Sequence, residues 1–226
     1  MRIRPEQLRL YAITDRKELN GASLPEAVED VLKGGATVIQ LREKSLSDSE
    51  FIEMARSIRP ICTKYGVPLI INDSIPAALA SQADGVHIGL NDISIAEARR
   101  IMGPNKIIGA SAHNVSEAMR AQMDGADYLG CGAVFHSSTK KDVVELAPDE
   151  LWRICKAVSI PVVAIGGITI QNAPTLTRTG VSGLAVVSAL FSAPDRTEAA
   201  RTLRAIVDTI DAEASYEDSL NVRRHS

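Results

Sequence analysis

The sequence predicts a (β/α)8 TIM barrel built as a single domain. Three observations carry that expectation. Short apolar runs alternate with stretches that carry helix signals. The runs number about eight, the count that closes such a barrel. Polar motifs gather at the C-terminal ends of the runs, the side on which these barrels place their chemistry.

The runs that read as buried parallel strands are Leu10–Ile13, Ala36–Leu41, Pro68–Ile71, Gly85–Ile88, Lys106–Gly109, Tyr128–Gly130, Pro161–Ile165 and Gly183–Val187. They are aliphatic and nearly unbroken, as strands covered on both faces require. Between them, Ser23, Ser47, Ser94, Asn114 and Asp195 each precede a Glu by three places. Such a pair predicts a helix start, the cap oxygen accepting an orphan N–H and the Glu reaching back to the cap's own N–H. Gly34-Gly35, Gly66, Gly125 and Gly180 mark helix ends. Pro60 falls inside the second helical pattern and predicts a kink or an early end there. The barrel is expected to span residues 1–212. Residues 213–226 are polar and weakly periodic, and are expected to form a flexible tail.

Composition narrows the function. The chain has 226 residues and a net charge of −3, so no broad basic surface points to nucleic acid. No apolar stretch is long enough to cross a membrane, and Met1–Pro5 lacks the apolar core of a signal peptide. Cys62, Cys131 and Cys155 share no CxxC spacing and read as reduced thiols of a cytoplasmic protein. No zinc-ligand spacing and no Gly-x-Ser-x-Gly elbow occur. The composition is compatible with a homo-oligomer.

Several motifs can carry chemistry. In Gln40-x-Arg42-x-Lys44 the alternation sends Arg42 and Lys44 to one side of a strand end. They can grip a diphosphate, or form a solvated rim with Glu43 pairing nearby. Asp73 and Asp92 follow neighbouring strands and can hold Mg2+, with substrate phosphates completing its shell; turn chemistry is the competing reading. Ser137–Asp142 reads either as a phosphate cradle with Lys140 balancing charge, or as a solvent loop. Gly166-Gly167 and Val187-Ser188 follow strands seven and eight, where many barrels bind phosphate. His87 reads as a hydrogen-bonded interior group rather than a ligand, His113 as a loop cap, His136 as a neighbour of the hydroxyl-rich loop, and His225 as inert.

Taken together, Tyr11–Asp15, Gln40–Lys44, Ile71–Asp73, Ala83–Gly89, Gly109–His113, Gly125–Tyr128, Ser137–Asp142, Ala164–Ile168 and Ala185–Ser188 resemble the thiamine-phosphate synthase family. The resemblance runs in the family's order from about Tyr11 to about Ser192. It implies condensation of 4-amino-2-methyl-5-(diphosphooxymethyl)pyrimidine with 4-methyl-5-(2-phosphooxyethyl)thiazole. The diphosphate would leave a pyrimidine carbocation, which the thiazole nitrogen captures. It further implies that Gln40, Arg42, Lys44 and Asn72 hold the pyrimidine diphosphate and that Asp73 and Asp92 carry Mg2+. Ser111 would contact the pyrimidine and Lys140 the departing diphosphate. Ser137, Thr139, Gly167, Val187 and Ser188 would bind the thiazole phosphate.

The chain departs from the family pattern at Ser74, where Arg is frequent, and at Leu90, where Gln is usual. Ala133 and His136 each replace a frequent Pro. Two other functions fit the same barrel. One is the related thiazole tautomerase, whose base would stand at Ala133. The other is a non-catalytic barrel that binds thiamine precursors.

Overall fold

Eight strands pair in parallel, each with its neighbour in sequence, and β1 pairs with β8 to close the barrel. They are β1 (Leu10–Ile13), β2 (Val38–Leu41), β3 (Leu69–Asn72), β4 (Gly85–Ile88), β5 (Ile107–Ala112), β6 (Tyr128–Gly132), β7 (Val162–Ile165) and β8 (Gly183–Val186). The computed structural model describes residues 3–136 and 145–224. All eight expected runs are strands. β5 is longer than expected because Ser111 and Ala112 continue the ladder opposite Gly130 and Cys131.

Alternation along the strands sorts the apolar side chains into two cores. Tyr11, Ile13, Val38, Ile70, Ile107, Tyr128, Val163 and Ala185 fill the barrel interior. Their neighbours Leu10, Ala12, Ile39, Leu69, Ile71, Val86, Ile108 and Leu184 face outward and meet the helices. A 3-10 turn at Pro5–Leu8 plugs the interior from below, with Ile3 and Leu8 joining the inner core.

The helices are α1 (Leu24–Lys33), α2 (Asp48–Tyr65), α3 (Ile75–Ala80), α4 (Ile95–Met102), α5 (Val115–Met123), α6 (Pro148–Ala157), α7 (Ser188–Phe191) and α8 (Arg196–Arg224). Between β7 and β8 the helix shrinks to one 3-10 turn, Ala173–Leu176. All five expected caps accept the N–H three places on. The Glu reaches back to its own cap N–H at Ser23 and Ser47 only. Glu97 instead pairs with Arg100, Glu198 with Arg201, and Glu117 takes the N–H of His113 at 2.8 Å. Pro60 does not end α2. It lies on the exposed face, where water can satisfy the carbonyl that loses its partner.

α8 closes the helical ring against α1. Gly34 allows the approach, since a side chain there would strike the backbone of Thr197. Thr197 Oγ1 also donates to the Asp30 carbonyl at 3.0 Å. At the opposite end from the polar motifs, two matching clamps tie strand starts together. Asp127 accepts the Ile108 N–H at 2.8 Å and an Arg99 N–H at 2.6 Å. Asp84 accepts the Leu69 N–H at 2.8 Å and pairs with Arg59.

Candidate active site

The C-terminal mouth of the barrel holds a cavity, and seven of the residues singled out in the sequence meet on its wall. Gln40, Arg42, Asn72, Ser111, Gly167, Val187 and Ser188 all line it. They come from β2, β3, β5, the loops after β2, β7 and β8, and the first residue of α7. Convergence of separated segments on one rim is how this fold builds a site.

The two charges of the Arg42–Lys44 pair part company. β2 ends at Leu41, so the alternation that would align them ends too. Arg42 stays on the cavity wall, its backbone N–H held by Thr14 Oγ1 at 3.0 Å. Lys44 is exposed and stands outside the wall. Glu43 turns away to Arg16 at 3.0 Å, and its side chain is only 5% exposed. Burial holds its carboxyl above the usual carboxylate range, against the pull of Arg16. Glu43 thus makes a structural pair, and Arg42 faces the cavity.

Asp73 and Asp92 follow β3 and β4, which are neighbours. Both are exposed and neither lines the cavity. Asp73 adopts φ 62°, its N–H bonded to the His87 carbonyl at 2.9 Å and its carboxylate accepting from Asn72 at 2.6 Å. Asp92 accepts the Gly89 N–H at 2.7 Å. Among the described residues no three His, Cys, Asp or Glu side chains could hold a metal together. Two hard carboxylates at adjacent strand ends nevertheless suit Mg2+, which keeps waters and takes phosphate oxygens.

Gly166 and Gly167 carry φ of 102° and 63°. A side chain on Gly166 would strike Ala133, and one on Gly167 the carbonyls of Phe135 and His136. The two loops are laced together, Val134 N–H to Ile165 O at 2.9 Å and Phe135 N–H to Gly166 O at 3.2 Å. Glycine is therefore required by the turn, and it also leaves the backbone bare on the cavity side. Asn172, which sequence reading passed over, fastens this turn through Gly167 O at 2.9 Å. Val187 leaves β8 and caps α7, so Ser188 opens a helix at the mouth. Ser137, Thr139 and Lys140 lie outside the described residues.

The interior floor holds residues the sequence reading did not assign to the site. Gln40 donates to Tyr11 Oη at 2.8 Å, and Tyr11 Oη lies 2.6 Å from Tyr128 Oη. Tyr128 Oη is 3.1 Å from His87 Nδ1, and His87 Nε2 is 3.2 Å from Ser111 Oγ. His87 is thus an interior hydrogen-bonding group, as expected. His113 lines the cavity but is exposed and bound to Glu117 at 3.2 Å. His136 is exposed, 3.9 Å from Glu145.

The thiols offer no nucleophile. Burial pushes Cys62 and Cys155 up to about 12, and raises Cys131 as well. Cys131 belongs to the outer core, away from the cavity. The departures also find places. Ser74 caps α3, its Oγ accepting the Ala77 N–H at 3.2 Å. Leu90 is exposed in the β4–α4 loop, and Ala133 lines the cavity with no ionisable group.

A family model described as thiamine monophosphate synthase matches residues 10–190. The chain is 50% identical over 196 residues to the thiamine-phosphate synthase of Clostridium novyi, covering 86% of this chain and 96% of that protein. It is 49% identical over 207 residues to the thiamine-phosphate synthase of Chloroflexus aurantiacus, covering 91% and 95%. The solved structure of thiamine phosphate pyrophosphorylase from Pyrococcus furiosus superposes with a TM-score of 0.84 at 40% identity, covering 91% of this chain and 98% of that one. The chain belongs to the thiamine monophosphate synthase family.

Proposed function

We propose a division of labour at the barrel mouth for the reaction of this transferase, the condensation of pyrimidine and thiazole precursors to thiamine phosphate. The pyrimidine diphosphate sits on the β2–β5 side, with Gln40, Asn72 and Ser111 around the ring and Arg42 and Lys44 on the diphosphate. The thiazole phosphate sits on the β6–β8 side, on Gly167, Val187 and Ser188, together with Ser137 and Thr139. Lys140 serves the departing diphosphate. The observation that carries this reading is the meeting of Gln40, Arg42, Asn72, Ser111, Gly167, Val187 and Ser188 on one cavity wall.

The arrangement suits a dissociative substitution. An aminopyrimidine spreads positive charge from its methylene once diphosphate departs, so the protein needs no covalent nucleophile. It has to neutralise the leaving group and hold the second substrate in line. Arg42 offers a planar fork for two phosphate oxygens. The bare turn at Gly166-Gly167 and the start of α7 present backbone N–H groups to the second phosphate. Mg2+ on Asp73 and Asp92, when bound, supplies further neutralisation of the diphosphate.

Ala133 on the wall weighs against a tautomerase, which would carry its base there. No helix among the described residues is long and apolar enough to cross a membrane. Free, largely buried cysteines suit a reducing compartment, which supports a cytoplasmic location.

The division is tested by a pair of variants. Arg42→Ala should cripple coupling through the pyrimidine diphosphate, while Ser188→Ala should mainly raise the KM for the thiazole phosphate. If Arg42→Ala changes only the thiazole KM, the two halves are assigned the wrong way round.

A further inference from the structure

We propose that a one-way hydrogen-bond chain across the barrel floor, Gln40 to Tyr11 to Tyr128 to His87 to Ser111, fixes the His87 tautomer. It thereby presents Ser111 to the cavity as a hydroxyl donor, and Tyr11 and Tyr128 are its positioning residues.

The direction follows from counting protons. Tyr11 is fully buried and has two polar partners among the described residues, the Gln40 amide and Tyr128. The amide donates, so Tyr11 accepts from it, and the one phenolic proton of Tyr11 goes to Tyr128 Oη. Tyr128 then spends its own proton on His87 Nδ1. That leaves the imidazole proton on Nε2, aimed at Ser111 Oγ. Ser111 accepts there, and its hydroxyl proton is left for the cavity that it lines. The reverse polarity would leave the Tyr11 proton with no protein acceptor among its hydrogen-bond partners, since Gln40 and Tyr128 would then both donate to it, a cost that buried hydroxyls avoid. Burial raises both phenols well above their ordinary value, so each keeps the proton that the chain uses.

The barrel makes room for the chain by deleting side chains. Gly109 stands opposite both His87 and Tyr128 in the ladder, and a Cβ there would lie 2.1 Å from Tyr128 Cζ and 2.3 Å from its Oη. A Cβ on Gly130 would lie 3.2 Å from His87 Cε1. The His87 and Tyr128 rings meet in that gap with centroids 5.6 Å apart.

This inference rests on the reading that Ser111 meets the pyrimidine. That ring would then offer Ser111 a lone-pair acceptor, such as a ring nitrogen.

Nitrogen-15 NMR of the histidine-labelled full chain tests it. In the wild type, His87 should show Nε2 protonated and Nδ1 bare. Tyr128→Phe keeps the ring in its slot but removes the hydroxyl, and should shift His87 toward the other tautomer. The KM for the pyrimidine diphosphate should rise about tenfold, the factor carried by one ordinary hydrogen bond, with the thiazole KM unmoved. Adding Tyr128→Phe to Ser111→Ala should cost nothing further. Should Tyr128→Phe fail to fold, the wild-type tautomer decides by itself, and Tyr11→Phe, which leaves the Tyr128–His87 bond in place, should keep it. A wild-type His87 protonated on Nδ1, or a tautomer indifferent to Tyr128→Phe, overturns the chain. A tautomer that responds while Ser111→Ala leaves the pyrimidine KM unchanged would instead overturn the placement of the pyrimidine.

Discussion

Gly109 and Tyr128 face each other across the β5–β6 ladder, and the ring of Tyr128 fills the volume that a side chain at Gly109 would need. The same glycine is paired with His87 on its other side. One missing methyl group thus lets two rings from β4 and β6 meet inside the barrel. Gly109→Ala should overpack this point and destabilise the fold by about 1–3 kcal/mol. Urea unfolding would measure it, and an unchanged midpoint would show that the ring moves aside freely.

The clamp of Asp127 with Arg99 and the Ile108 N–H sits at the N-terminal face, the end of these barrels that serves stability. Asp127→Ala would leave a backbone N–H and a guanidinium short of their partner. A loss of about 2–4 kcal/mol is expected, with little change in kcat at temperatures where the variant is folded. A large fall in kcat at full folding would tie this clamp to the mouth.

The barrel was legible because its strands are buried on both faces and so appear as short aliphatic runs, punctuated by caps such as Ser23 and Ser47. The rim was legible because Gln40, Arg42 and Asn72 are polar residues at the ends of those runs. The floor was not. Tyr11 and Tyr128 look like ordinary bulky strand residues, and Gly109 like a weak strand position. Their relation appears only once β4, β5 and β6 are placed in register. The parting of Lys44 from Arg42 was likewise hidden, because the alternation that would align them stops with β2 at Leu41 and the path of the loop beyond it leaves no mark in the sequence.

Asp73 and Asp92 are proposed to carry the metal from exposed positions after β3 and β4. Asp73→Ala and Asp92→Ala should each abolish most turnover and raise the Mg2+ concentration needed for what remains, while thermal melting stays close to wild type. Activity unchanged in both at limiting Mg2+ would remove them from metal binding.

We propose that the barrel unit closes at residue 212. The buried positions of α8 include Leu203, Val207 and Ile210, whereas the sequence after Asp211 shows no core-facing period. Truncation after Ala212 should preserve both melting temperature and activity. A drop of several degrees would show that the last residues dock on the barrel.

This barrel mouth is proposed to join two phosphorylated precursors with loss of diphosphate. The most direct test supplies the purified protein with the pyrimidine diphosphate, the thiazole phosphate and Mg2+, and follows thiamine phosphate and free diphosphate together. Both should appear in equal amounts, and a chelator should stop both. Aromatisation of a thiazole tautomer carboxylate phosphate in the presence of chelator, with no thiamine phosphate formed from the complete mixture, would contradict it.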